Sequence, residues 1–278
     1  MKAISQTLAV ARSNVLERRD VRRPRRGPQE RPGDVELAGA IRRFVDERPT
    51  YGYRRIAALL KRERRSDGLA PVNAKRVYRL MKKHGLLLER HTGRRRPREH
   101  DGQVATIRSN CRWCSDALEF TCWNGEIVRV AFALDCHDRK AISWVATTAG
   151  ISGEMIRDMM VRSVEQRFGT LRAPHPVQWL SDNGSIFSAH KTIEIAVALN
   201  LVPCFTPVES PESNGMAEAF VKTFKRDYVR VTPIPDADTA FALIDNWMED
   251  YNNVHPHSRL GYRSPREYIL SQPVACPV

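Results

Sequence analysis

Hydrophobic residues recur with two different periods along this chain, and the change falls near residue 110. In 34–47 the apolar positions Leu37, Ile41, Phe44 and Val45 return at helical spacing. Residues 52–65 repeat the pattern with Tyr53, Ile56, Ala57 and Leu60, and a third stripe of Val77, Leu80 and Met81 runs between Asn73 and Gly85. The ends carry stop and start signals. Asp34 and Asn73 are residue types that cap helix N-termini. Gly85 follows Lys82, Lys83 and His84, which suit a helix C-terminus. Beyond residue 110 the pattern predicts strands over 112–121, 126–135 and 139–147, with Asn124-Gly125 as a hairpin turn. A helix over 153–168, a strand over 177–180, a helix over 188–199 and a strand over 201–205 follow, and helices near 214–229 and 238–251 close the chain. Three hairpin-joined strands and then alternating helix and strand predict an α/β mixed sheet covered by helices, preceded by a small all-α domain.

Charge divides the chain in the same place. Residues 1–100 hold 28 of the 45 basic and 11 of the 32 acidic side chains, a net of +17, which leaves −4 for the remainder. A basic N-terminal third on a slightly acidic body points to docking on a polyanion, with nucleic acid favoured over a membrane surface. The expected organisation is a basic arm over 1–33 with a short helix at 3–19, a helical domain over 34–92, a basic linker over 93–108, a body over 109–270 and a tail over 271–278. Outward positions on the second and third helices include Arg54, Arg55, Lys61, Arg62, Lys75, Arg76, Arg79 and Lys82. Three short helices with a basic outer face describe a helix-turn-helix-like module, with 66–72 a long version of its turn. The alternative is a solvated basic face with no ligand.

Several classes are set aside. No run approaches the ~18 apolar residues of a membrane helix, and the N-terminus lacks a signal-peptide pattern, so a cytoplasmic, nucleoid-associated protein is expected. No G-x-x-x-x-G-K-[ST] phosphate loop occurs. Six cysteines in such a protein do not imply disulfides. C-R-W-C at 111–114 has zinc-like spacing, but a strand over 112–120 would point Cys111 and Cys114 to opposite faces.

Three carboxylates stand out. Asp116 interrupts an otherwise buried strand pattern, where an unpaired charge is costly. Asp182 follows the fourth strand directly, and strand ends of open α/β sheets are where ligands bind. Glu218 flanks the apolar stripe Ala217, Phe220, Val221, Phe224 and Tyr228, with Lys222 and Lys225 on the same flank. Its alternative role is an ordinary i,i+4 pair with Lys222. Asp135, Asp138, Glu119 and Glu126 remain competing acids on pattern alone. Hard oxygen ligands of this kind suit Mg²⁺ and two-ion phosphodiester chemistry.

Seven strings in order then carry a resemblance over roughly residues 36–270: Y-G-Y-R-R-I (51–56), V-N-A-K-R-V-Y-R-L-M (72–81), R-W-C-S-D-A-L-E-F (112–120), L-D-C-H-D-R (134–139), W-L-S-D-N-G-S (179–185), S-P-E-S-N-G-M-A-E-A-F-V-K-T-F-K-R-D-Y (210–228) and Y-N-N-V-H-P-H-S-R-L-G-Y-R-S-P-R-E-Y (251–268). The chain resembles bacterial insertion-sequence transposases of the type with a retroviral-integrase-like core and an upstream helix-turn-helix. The resemblance implies a ribonuclease H-like fold and an Asp-Asp-Glu set on Asp116, Asp182 and Glu218, with the family's 35 residues between the last two. It makes Asp135 a strand-end residue and not a ligand, and gives Asn214 and Gly215 the turn into the Glu218 helix. His255 and His257 fall in a family segment that is not catalytic. Glu209 stands where relatives tend to carry a basic residue.

The implied activity is cleavage of the element's ends and their joining to DNA, by hydrolysis and transesterification that depend on Mg²⁺, with Mn²⁺ as a substitute. Arg54, Arg55, Lys75, Arg76, Arg79, Lys82, Lys222 and Lys225 are the expected DNA contacts. The implied partners are double-stranded DNA at element ends and target, further copies of the chain, and an upstream-frame protein or fusion. Alternatives are a non-catalytic DNA-binding regulator and a structure-selective nuclease of the same fold.

Overall fold

A computed structural model describes residues 6–7, 9–11, 30–89, 106–206 and 215–272. Glu209, Asn214 and most of the expected arm and linker, including most of the helix expected at 3–19, lie outside the described residues. Helices α1 (Asp34–Glu47), α2 (Tyr53–Ser66) and α3 (Ala74–Lys83) form the helical module. Their apolar stripes meet in one core that includes Ile41, Ile56, Leu60, Val77 and Met81. Asn73 caps α3 by accepting from Lys75 N–H, and Gly85 leaves it in the left-handed region at φ 67°. Asp34 does not cap α1. Gly33 takes that place, and the Asp34 carboxylate accepts from Arg76 and Arg79 of α3 instead. Both guanidiniums donate charge-assisted hydrogen bonds to it, and the Arg31 N–H adds a further donor.

The second unit runs β1 (Arg112–Thr121), β2 (Ile127–Asp135), β3 (Ala141–Thr147), α4 (Gly153–Phe168), β4 (Val177–Ser181), α5 (Ser185–Ser188), α6 (His190–Ala198), β5 (Leu201–Phe205), α7 (Gly215–Asp227), α8 (Ala237–Asn253) and α9 (Pro265–Ser271). The sheet order is β3-β2-β1-β4-β5. β1, β2 and β3 pair antiparallel, while β4 and β5 join parallel to β1. Alternation along β1 sends Cys114, Leu118 and Phe120 to the face covered by α7 and α8, and Trp113 to the face covered by α4 and α6. Each face carries a buried apolar cluster, and the mixed sheet between helical layers is the ribonuclease H-like arrangement expected.

Two short α-helices stand outside the expected elements. α5 is a single turn, too brief to show periodicity. α9 opens on S-P-R-E, where Ser264 and Glu267 form a capping box with Pro265 at the first position, a signal present in the sequence. No helix among the described residues is long and apolar enough to cross a membrane.

Candidate active site

Strand register brings the three singled-out carboxylates to one region. Asp116 sits in the middle of β1 opposite Phe132 of β2, on the face that packs against α7. Phe132 meets Phe220 of α7 with ring centroids 4.4 Å apart, and Phe220 lies less than a turn from Glu218. In the parallel pairing of β1 with β4, Cys114 stands opposite Leu180. That is the last pair, and the same offset carried two residues beyond it brings Asp182 toward Asp116, whose carboxyl feels its charge.

The backbone after β4 is shaped around the Asp182 carboxylate. Gly184 N–H donates to Asp182 Oδ1 at 3.0 Å, and a β-carbon on residue 184 would sit 2.9 Å from that oxygen. Gly184 has φ −56°, so close approach requires the glycine here and not an unusual backbone angle. Asn183 Nδ2 donates to the Thr206 carbonyl at 2.8 Å and ties this loop to the end of β5. In the sequence Asn183-Gly184 reads only as a tight turn, because a bond spanning 23 residues leaves no local signal.

Burial, reinforced by Asp182 and Glu218, pushes the Asp116 carboxyl above the ordinary aspartate range, while the Ala117 N–H pulls the other way. No ion pair to Asp116 or Asp182 forms among the described residues. Glu218, 42% exposed, pairs with Lys222 Nζ at 3.1 Å, so the ordinary i,i+4 partner expected for it is present. Among the described residues no three His, Cys, Asp or Glu side chains are gathered closely enough to hold one ion.

The competing acids have other partners. Asp135 and Asp138 are fully buried and both bind Arg167, at 2.9 and 2.6 Å. Glu119 pairs with Arg129. Glu126 accepts from Asn124 Nδ2 and Ala237 N–H. His255 is buried against Tyr51, whose hydroxyl lies 2.7 Å from Nδ1, and burial holds the His257 imidazole at a pKa of about 3.

The basic positions divide. Arg54, Lys61, Lys75 and Lys82 are exposed, with Arg54 lying over the Tyr53 ring. Arg55 and Arg62, expected to point outward, turn instead onto the second unit, where they pair with Asp227 and Glu267. Their helix packs against that unit, a contact no helical wheel contains. Arg76 and Arg79 are held by Asp34.

Integrase core domain models match residues 107–211 and 201–265, and an HTH-like domain model matches residues 33–96. "Insertion element IS136 uncharacterized protein" of Agrobacterium tumefaciens (strain T37) is 58% identical over 195 residues, covering 70% of this chain and all of that protein. "Transposase InsD for insertion element IS2D" of Escherichia coli (strain K12) is 52% identical over 237 residues, 85% of this chain and 79% of its own length. This chain belongs to the insertion-element transposases. A chain of the simian T-cell lymphotropic virus intasome in complex with PP2A regulatory subunit B56 gamma shares the fold at 15% identity and TM-score 0.51, over 74% of the transposase and 70% of that chain.

Family membership makes the protein an enzyme that cuts and joins DNA by metal-dependent polynucleotidyl transfer. The donor chemistry near Asp116 fits such a metal. Asp116, Asp182 and Glu218 offer hard oxygen donors of the kind a divalent cation prefers, and Asp116 lies in the field of the other two.

Proposed function

We propose that Asp116, Asp182 and Glu218 hold the divalent ions of the transposase, Mg²⁺ by preference and Mn²⁺ as a substitute. The supporting observation is the placement of Asp116, a half-buried acid with no ion-pair partner among the described residues, its carboxyl raised by burial and by the field of the other two. Bound ions supply positive charge to the attacking and leaving oxygens of a phosphodiester. The chain's part is to fix those ions against the scissile phosphate. Asp116 does so from a rigid central strand, and Asp182 from a turn locked by Gly184 and Asn183. Glu218, now paired with Lys222, would serve as the third ligand. Lys222 and Lys225, further along α7, are then available to phosphates of the strand that runs past.

Hydrolysis at an element end would form a new phosphorus–oxygen bond from water and release a 3′-OH. That hydroxyl would attack a second phosphodiester in line, expelling another 3′ oxygen. No side-chain nucleophile takes part. The DNA is double-stranded, at both element ends and target, and bringing two ends together calls for more than one copy of the chain. The working division is a DNA-reading helical domain over 34–92 and a catalytic core over 109–270. The reading face consists of Arg54, Lys75 and Lys82. Action on the chromosome would place the protein at the nucleoid, alone or with an upstream-frame partner.

The test is Glu218→Gln in the full chain, assayed for nicking of supercoiled plasmid in Mn²⁺ and for strand transfer of the DNA flanking the coding sequence. Loss of both with DNA binding retained is expected. Undiminished joining would refute the assignment, and cleavage without any joining in the unmutated protein would favour the nuclease alternative.

A further inference from the structure

The helical module does more than carry basic side chains, because its α1–α2 corner is bonded to the far end of the helix that bears Glu218. Asp227, the last residue of α7, has a side chain only 1% exposed. It accepts from Thr50 Oγ1 at 2.6 Å and Arg55 Nη1 at 3.0 Å, both in the module, and from Arg226 Nε and Nη2 at 2.6 Å each. Beside it Tyr51 enters the second unit, its ring flanked by the guanidiniums of Arg48 and Arg55. Arg48 bonds Asp250 of α8, which also accepts from Tyr228 just past α7.

A carboxylate at a helix C-terminus sits at the wrong end of the macrodipole, and a buried one is costly without partners. Nothing in the packing of α7 requires an acid there, since Phe220 and Phe224 already bury its stripe. Apolar contacts of that kind set the distance between helix and sheet but tolerate rotation and sliding. Directional charge-assisted bonds at one end remove both freedoms. Asp227 lies nine positions beyond Glu218 on α7, about 13 Å along a rigid rod, so a bond that fixes one end fixes the other.

We propose that Asp227 is a positioning residue for DNA cleavage: Thr50 and Arg55 of the helical module, by binding it, set the rotation of α7 and thereby aim Glu218. The inference rests on the metal-holding role proposed for Glu218. Under it the module is part of the catalytic scaffold, and Arg55 serves the core and not the DNA.

The experiment uses the full chain with Thr50→Val, Arg55→Met and Asp227→Asn, the first two guarding against a third that fails to fold. Supercoiled plasmid is nicked in Mn²⁺ under single-turnover conditions at saturating enzyme, giving a rate constant and an amplitude. Mn²⁺ binding is measured separately by calorimetry. A fall of about tenfold in the rate constant is expected for Thr50→Val and Arg55→Met, since misplacement by about 1 Å costs on the order of a hundredfold. Weaker Mn²⁺ binding and unchanged plasmid affinity should accompany it. Arg55→Lys, which keeps a cation at this position, should recover part of the rate. A merely structural contact would lower the amplitude or the melting temperature and leave the rate constant and Mn²⁺ affinity alone, and that outcome overturns the proposal. Glu218→Gln is run alongside. If it nicks normally, the reading of the site fails. If it is inactive while the module variants keep full rate constants, the positioning role alone fails.

Discussion

Replacing Gly184 by alanine isolates the placement of one carboxylate from the stability of the fold. The added β-carbon would stand 2.9 Å from Asp182 Oδ1, so the oxygen must retreat by about half an ångström to reach ordinary van der Waals contact. What moves is the end of an exposed side chain, and no backbone need shift. The loss is one hydrogen bond from Gly184 N–H, worth about 1 kcal/mol where water can replace it. For a chain of this size that amounts to a melting temperature lower by about 2–4 °C. The reaction is far less tolerant. With a 1 Å error costing on the order of a hundredfold, the half-ångström shift should slow cleavage by between about tenfold and a hundredfold. The assay is single-turnover nicking of supercoiled plasmid in Mn²⁺, paired with a thermal melt and a DNA-binding isotherm. An unaltered rate would refute the claim that the turn aims Asp182, and a collapsed fold would refute the claim that the strain is local. In a background already lacking the Asp182 carboxylate, Gly184→Ala should cost nothing further.

Asp116→Asn should abolish cleavage yet raise the melting temperature at pH 7 in EDTA. The folded state holds this proton more tightly than the unfolded chain does, because burial, Asp182 and Glu218 raise the carboxyl. Stability therefore falls as pH rises from the ordinary aspartate range through the raised value, and the penalty persists at neutrality; a lower melting temperature at pH 7 would contradict this. Lys222→Ala and Lys225→Ala should each weaken DNA binding and reduce the slope of log affinity against log salt by about 1 if they meet phosphate, and an unchanged slope removes that contact. Burial, then His257 and the nearby arginines, drives the His255 imidazole well below its usual value. The folded state excludes a proton that the unfolded chain accepts, so stability should be full above about pH 6.5 and decline as the solution is made more acidic. Thermal melts from pH 7 to pH 4.5 test this, and a His255→Asn variant with an equally steep decline would place the effect elsewhere.

Local physics made most of the elements legible. The stripe of Leu37 and Ile41, the Asn73 cap and the Asn124-Gly125 hairpin all act over a few residues, so they can be read without knowing the neighbours. Asp116 was legible for a related reason, since an acid among strand residues that want burial is a conflict visible in one dimension. The motif strings from 51–56 to 251–268 added the family, its fold and the pairing of Asp116 with Asp182 and Glu218. The tertiary structure decided what those residues touch. Asp34 reads as a helix cap and serves as the anchor of Arg76 and Arg79. Arg55 reads as a reader of DNA and binds Asp227, 172 residues away. Asn183 reads as a turn former and buttons a loop to β5. Periodicity reports which face of an element is apolar, because burial repeats along the chain. Partner choice among charged side chains follows from the packing of elements distant in sequence, and only the folded chain determines that.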